Sequence, residues 1–179
     1  MTTSKYYLYY KNLFKSRAEI IEENSNNQVI IEMIENNKTT DYASISDVLG
    51  ITRDGAKYYI NKLKEASIVR REGTNRSGYY ETLNDINRPA DFMNLDEETK
   101  SISISRCRKY FMPSETAFKG MSSYGLKHVF EKDTDIYLSN GQFKGAMLLA
   151  GFTPKNITDL NWQFYISKNS PAIYMETKA

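Results

Sequence analysis

Between Ala43 and Leu83 the spacing of apolar residues changes several times, and each change marks an element. Ile45, Val48 and Leu49 are spaced as one face of a short helix, and Gly50 ends it by offering a left-handed position. Thr52 is a good N-cap, and Ala56, Ile60 and Leu63 follow at helical spacing. A second helix is therefore predicted from Thr52, closed by Glu65-Ala66-Ser67. Ile68–Glu72 and Tyr79–Leu83 are rich in β-type residues and predict a hairpin. Residues 73 to 78 (GTNRSG) form its turn, with glycines for positive-φ positions.

Upstream, residues 5 to 23 predict a helix with Tyr6, Tyr9 or Tyr10, Leu13, Phe14, Arg17, Ile20 and Ile21 along one stripe. Asn24 to Asn27 break it, and Gln28 to Asn36 form another helix with Val29, Ile30, Met33 and Ile34 apolar. Downstream, residues 84 to 100 carry turn signals and an acidic run. Ser114 to Thr116 lead into a helix ending by Met121, and Ser122 to Lys132 predict another around Leu126, Val129 and Phe130. A cap at Ser139 or Asn140 starts a helix that stops at Gly151, and the alternation of Trp162 to Ile166 predicts a short strand. The expected fold class is mainly α with a small β-wing: a winged helix-turn-helix domain followed by a small α-rich (α+β) domain. The expected boundaries are 1–88 for DNA binding and dimerisation, 89–100 as linker and 101–179 for a partner-binding module.

Helix, sharp turn, helix and wing, in that order, is the layout of a DNA-reading module. Gly50 takes the turn and Ile51 points into the core. Thr52, Arg53, Asp54, Lys57, Tyr58 and Asn61 then make the outward surface of the second helix, where Arg, Lys and Asn can read purine edges in the major groove. Arg70, Arg71 and Arg76 on the wing are placed for phosphate or minor-groove contact. Charge agrees: residues 52 to 88 hold eight basic side chains against five acidic, a local excess of three, while the whole chain has a net charge of +2. The competing reading makes these the ordinary charges of a solvated helix and turn. A single module of this size reads few base pairs, so a homodimer on an inverted repeat of double-stranded DNA is expected. The tyrosine-rich first helix is the candidate interface, and packing on its own domain is the alternative.

Candidate chemistry adds little. Cys107 is the only cysteine, so no internal disulfide forms, which fits a reducing cytosol. Arg106, Arg108 and Lys109 beside it would depress its pKa. His128 is the only histidine, which leaves no Cys/His metal set and no second imidazole for a triad. His128 and Glu131, three apart on a helix, read as a structural pair, and Trp162, Phe164 and Tyr165 as core. No enzymatic activity, cofactor or metal is expected. No apolar run is long enough to span a membrane and no signal-peptide core is seen, so the cytoplasm of a bacterial host is the expected location. Asn-, Lys- and Tyr-rich usage is of the kind found in AT-rich bacterial or phage genomes.

Two stretches resemble known families. Thr52 to Glu65 (TRDGAKYYINKLKE) with Gly73 to Tyr80 (GTNRSGYY) resembles the winged-helix bacterial regulators, departing from them at Gly55 inside the recognition helix. Ser123 to His128, Glu131, Tyr137, Ser139 to Gly141, Phe143, Ala146-Met147, Gly151-Phe152, Asn161-Trp162 and Ser167 resemble a small module carried by temperate phages, genomic islands and plasmids. Together the two resemble the dual-function anti-CRISPR proteins of staphylococcal mobile elements. That resemblance implies a first domain that represses its own promoter and a second that inhibits a type II CRISPR effector nuclease with its guide RNA. If the inhibitor blocks DNA recognition by presenting carboxylates, Glu131, Asp133 and Asp135 are the candidates. The alternative is a plain phage or plasmid regulator, or a replication-associated DNA-binding protein, whose second domain oligomerises or senses a signal.

Overall fold

Asn24 shows how local chemistry sets the element boundaries. It is extended, it ends one helix, and its side chain accepts the N–H of Asn26 at 2.9 Å to begin the next. The computed structural model describes the backbone of residues 10–74 and 77–176, and the chain is mainly helical with one two-stranded antiparallel sheet. Two compact units divide it: residues 15–84 form one, and the first residues through Phe14 join residues from Asp85 onward in the other.

The first unit contains α1 (Arg17–Glu23), α2 (Ser25–Asn36), α3 (Tyr42–Leu49), α4 (Arg53–Glu65), β1 (Val69–Glu72) and β2 (Tyr79–Thr82). Ser16 opens α1 and Asp41 opens α3, each through a reciprocal capping box. Gly50 closes α3 at φ 63°, and the Thr52 hydroxyl opens α4 by accepting the Gly55 N–H at 3.1 Å. The core is an isoleucine cluster, Ile30, Ile31, Ile34, Ile45, Ile60 and Ile68, closed by Ala56, Leu63, Val69 and Tyr80. Fully burying each of the larger side chains contributes about 1.5–3 kcal/mol. In the sheet Val69 pairs with Thr82 and Glu72 with Tyr79.

The expected helix over 5–23 is interrupted. Lys11–Phe14 is a 3-10 turn, and the chain restarts at Ser16; Tyr6 and Tyr9 lie outside the described residues. The break expected at Asn24 to Asn27 shrinks to Asn24, because α2 begins at Ser25 and Asn27 is buried, donating its Nδ2 to the Ile20 carbonyl at 2.7 Å.

The second unit is built around α7 (Asn140–Ala150). It follows α5 (Glu97–Tyr110) and α6 (Ser123–Thr134) and precedes α8 (Pro171–Glu176). From Asn140 to Leu148 every α7 residue except Gln142 is buried. A 3-10 segment, Pro89–Asn94, crosses α7 directly. A Cβ on Gly141 would lie 2.2 Å from the Arg88 carbonyl oxygen, and one on Gly145 would lie 2.4 Å from the Phe92 Cβ. Only bare backbone permits this approach.

That crossing corrects the expected linker at 89–100. Phe92 is buried in the core of the second unit and Glu97 already begins α5, so these residues are structure. The boundary falls at residue 84, and Leu13 and Phe14 belong to the same core. The helix expected before Met121 is absent as well. Residues 111–120 run irregularly beside 162–167, held by Ser114 N–H to Tyr165 O at 3.1 Å and Phe118 N–H to Phe164 O at 2.9 Å. The strand expected at Trp162 to Ile166 reduces to isolated bridges, Pro113 with Ile166 and Pro154 with Phe164. Trp162 and Phe164 are core, as read, while Tyr165 is half-buried. The helix at Ser139 keeps its predicted ends: a capping box at Ser139 and Gly151 at φ 104°. Among the described residues no helix is long and apolar enough to cross a membrane.

Candidate nucleic-acid interface

The turn between α3 and α4 is tied at both ends. The Ile51 N–H reaches the Ser46 carbonyl at 3.1 Å, and the Ser46 hydroxyl donates to the Ile51 carbonyl at 2.5 Å. Gly50 has nothing within 4 Å of a Cβ position, so its positive φ, not crowding, is what calls for glycine. Ala56, Ile60 and Leu63 are wholly buried, which fixes the rotation of α4 about its axis. The opposite face is thereby set: Thr52, Arg53, Asp54, Lys57, Tyr58 and Asn61 are all exposed. Tyr58, 58% exposed, has the Lys62 ammonium 5.6 Å from its ring centre. Tyr59 turns inward, its hydroxyl accepting from Asn24 Nδ2 at 3.1 Å.

Gly55 lies on the flank of this helix. A Cβ there would meet Thr52 Oγ1 at 3.4 Å and the Ile51 side chain at 3.5 Å, which is ordinary contact. Nothing within the described fold demands glycine. Gly55→Ala is therefore expected to stabilise the unit by up to about 1 kcal/mol, read as a higher melting temperature. A loss of DNA affinity in the same variant would assign the bare backbone to the ligand.

The hairpin distributes its arginines unequally. Arg70 is ion-paired with both Glu72 and Glu81, and its side chain is only 17% exposed. The expectation that Arg70 reaches toward phosphate does not fit this geometry, because two neighbouring carboxylates already neutralise it. Arg71 is exposed, lies 5.7 Å over the Tyr80 ring and donates to the Thr74 carbonyl at 3.2 Å. Arg76 lies outside the described residues. Of the two turn glycines, only Gly73 has positive φ (85°); Gly78 is needed because a Cβ would come within 2.5 Å of the Thr74 carbonyl oxygen. The wing is anchored by the Tyr80 hydroxyl donating to Tyr42 at 2.7 Å, and burial together with this contact pushes the Tyr42 phenol up to about 12.

In the second unit, Glu131 is half-buried and heavily engaged. It accepts from Lys127 Nζ at 2.7 Å and the Leu138 N–H at 3.4 Å, and His128 Nδ1 lies 2.9 Å away. Burial alone would raise its pKa; the Lys127 and His128 contacts outweigh it and hold the carboxyl below 4.5. Asp133 is exposed, and Asp135 is an exposed left-handed cap residue at φ 55°. The three carboxylates are thus not one acidic surface, since Glu131 spends its charge on its own helix. Because the folded carboxyl is the stronger acid, its stabilising effect is present above about pH 4.5 and lost as pH falls through the folded value. Glu131→Gln should accordingly lower the melting temperature near neutral pH, with the difference closing as the pH is taken well below 4.5 and the folded carboxyl is protonated.

Cys107 corrects another expectation. It is wholly buried, and burial drives its thiol pKa upward against the smaller opposing pull of Arg108. Arg108 instead donates to the Leu149 and Ala150 carbonyls at 3.1 and 3.4 Å, serving the C-terminus of α7. Cys107 should resist an aromatic disulfide reagent in the native protein and react at once in denaturant; fast native labelling would contradict its burial.

A polar network that sequence reasoning missed surrounds the start of α7. The Ser123 hydroxyl donates to Asn140 Oδ1 at 2.8 Å and accepts the Trp162 N–H at 3.0 Å. Asn140 Nδ2 reaches Asn161 Oδ1 at 3.0 Å, and the buried Lys144 donates to the Asn87 carbonyl at 2.8 Å while lying 4.7 Å over the Trp162 ring. The sequence signal was the recurrence of Ser and Asn at positions flanking core aromatics. Its role here is to satisfy buried polar groups that join distant segments.

Comparison with protein-family profiles, with curated proteins and with solved structures finds no match to this chain.

Proposed function

We propose that residues 15–84 act as a winged helix-turn-helix module that binds an inverted repeat in its own promoter as a homodimer and represses its own gene. The observation that carries this reading is the exposed face of α4. Arg53, Lys57, Tyr58 and Asn61 stand outward on a helix whose inner face is wholly buried. The helix follows a three-residue turn and is followed by a hairpin bearing the exposed Arg71. The test is a gel-shift titration with the gene's own upstream duplex against a scrambled duplex of the same length. Equal affinity for the two would remove the reading. Leu13 and Phe14 are spent in the second unit's core, so they do not serve the pairing; light scattering of the full chain with and without duplex measures it.

For the second unit we infer a non-enzymatic, partner-binding role. The resemblance of Ser123 to Ser167 to mobile-element modules suggests a type II CRISPR effector nuclease with its guide RNA as that partner. An acidic-mimic route has little support, since Glu131 is engaged and residues 101 to 179 hold ten basic side chains against six acidic. Cleavage by purified nuclease with guide and target, with and without the full chain, tests the inhibitor reading. Undiminished cleavage across several nucleases would leave a regulator whose second unit oligomerises or senses a signal.

A further inference from the structure

The second unit has a cleft of about 510 Å³ between residues 114–120 and 166–169. The two segments that line it are joined to the rest of the unit by backbone hydrogen bonds. Ser114 N–H reaches the Tyr165 carbonyl at 3.1 Å, Phe118 N–H the Phe164 carbonyl at 2.9 Å, and Ser167 N–H the Met112 carbonyl at 2.8 Å. Lys119 and Lys168 line the cleft and no carboxylate does. Both are exposed, and neither has an ion pair or hydrogen bond to another described residue. Three other lysines of this unit are engaged, Lys100 with Glu97, Lys127 with Glu131 and Lys144 with the Asn87 carbonyl, while the exposed Lys155, which does not line the cleft, has no side-chain ion pair or hydrogen bond to a described residue.

Two cations among the lining residues of one concavity, with the exposed Glu115 of the same segment outside that lining, mark a place for an anion. Its size exceeds a single phosphate and falls within the range of pockets that hold drug-sized ligands. Asn169 adds an amide at the rim, and Phe118, whose ring a Gly120 Cβ would meet at 2.5 Å, adds an apolar wall. The chain that enters the cleft leaves α5 through Arg106, Lys109 and Tyr110, with Arg106 at 5.9 Å and Lys109 at 5.2 Å from the Tyr110 ring centre. The basic excess of residues 101 to 179, ten against six, favours a polyanion over a small organic acid.

We propose that this cleft binds phosphate groups of a nucleic-acid single strand, which makes the second unit a nucleic-acid-binding surface separate from α4. Lys119 and Lys168 neutralise backbone phosphates, and the contact is independent of base sequence.

The test uses the full chain carrying Arg53→Ala, Lys57→Ala, Asn61→Ala, Lys62→Ala and Arg71→Ala, so that the base-reading and the phosphate-neutralising side chains of α4 and the hairpin are both removed. A labelled oligodeoxythymidylate is titrated by fluorescence anisotropy over a range of salt, before and after adding Lys119→Ala and Lys168→Ala. The double lysine change should weaken binding by roughly tenfold or more at low salt and flatten the log–log salt slope by about 1.4, two contacts at about 0.7 each. Lys119→Arg with Lys168→Arg should restore both. Pyrophosphate competition distinguishes the source: weak displacement at equal phosphate concentration assigns the strand, whereas displacement as strong as that by unlabelled strand assigns a free phosphate compound and overturns the strand assignment. Unchanged affinity and slope in the lysine variant, or no oligonucleotide binding by the parent, overturns the proposal altogether.

Discussion

Replacing Arg53 and Asn61 together by alanine is expected to abolish discrimination between the protein's own promoter duplex and a scrambled one, with the melting temperature unchanged. Both side chains are exposed on α4, neither has a hydrogen-bonded partner among the described residues, and Arg53 adds only a minor Coulombic pull on the Asp41 carboxylate, so the fold depends on them little. A bidentate contact from Arg to guanine or from Asn to adenine is worth about 1–3 kcal/mol, so the pair should cost about 2–6 kcal/mol on the specific site. Non-specific affinity should fall only slightly, because Lys57, Lys62 and Arg71 are retained. A gel-shift titration with both duplexes separates the two effects. Full retention of specificity in the double variant would show that α4 does not read bases.

Gly141→Ala is expected to be among the most destabilising single changes in the second unit, at about 3 kcal/mol, the upper end of ordinary overpacking costs. The new methyl would sit 2.2 Å from the Arg88 carbonyl oxygen and 2.8 Å from the Arg88 N and C atoms. These are backbone atoms and cannot rotate away, so the 3-10 crossing must lift off α7 and uncover Phe92. A urea titration followed by Trp162 fluorescence reads the loss, since Trp162 is wholly buried in this unit. The contrast with Gly55→Ala is diagnostic: the same added methyl has ordinary contact distances there and should stabilise. A Gly141→Ala midpoint equal to that of the parent would show that the close crossing is not present in solution.

The elements that could be read from the sequence are those whose signals are local. Gly50, Thr52, Ser139 and Gly151 announce helix ends by their own side-chain or backbone chemistry, and all four act as read. The inner face of α4 was legible because Ala56, Ile60 and Leu63 repeat at helical spacing. Helix α5 was missed, although Asp96 caps it through Thr99, Glu97 and Glu98 occupy its first turn, and Arg108 and Lys109 its last. Ser101-Ile102-Ser103-Ile104 masks those end signals with an alternation that suits a strand. Long-range facts were out of reach. Nothing near Arg70 says that Glu81 will face it across the sheet, and nothing near Phe14 says that its contacts begin past residue 85. The spacing Gly141-x-x-x-Gly145 was the one available hint that another segment approaches α7 closely.

Because Leu13 and Phe14 share a core with residues beyond Asp85, the first unit is an insertion within the second. The 3-10 turn Lys11–Phe14 packs against Pro89–Asn94, so the chain leaves and re-enters the second unit at neighbouring points. During synthesis residues 15–84 emerge complete and can fold while the ribosome is still making α5 to α8. Lys11–Phe14 has no such option and must wait at least for Pro89–Asn94, made after the inserted unit. Once the inserted unit has folded, a separation of some seventy residues becomes a short one, which lowers the entropic cost of closing the outer unit. The inserted unit thus acts as an internal template for the order of assembly, and destabilising its isoleucine core should slow maturation of the unit that encloses it.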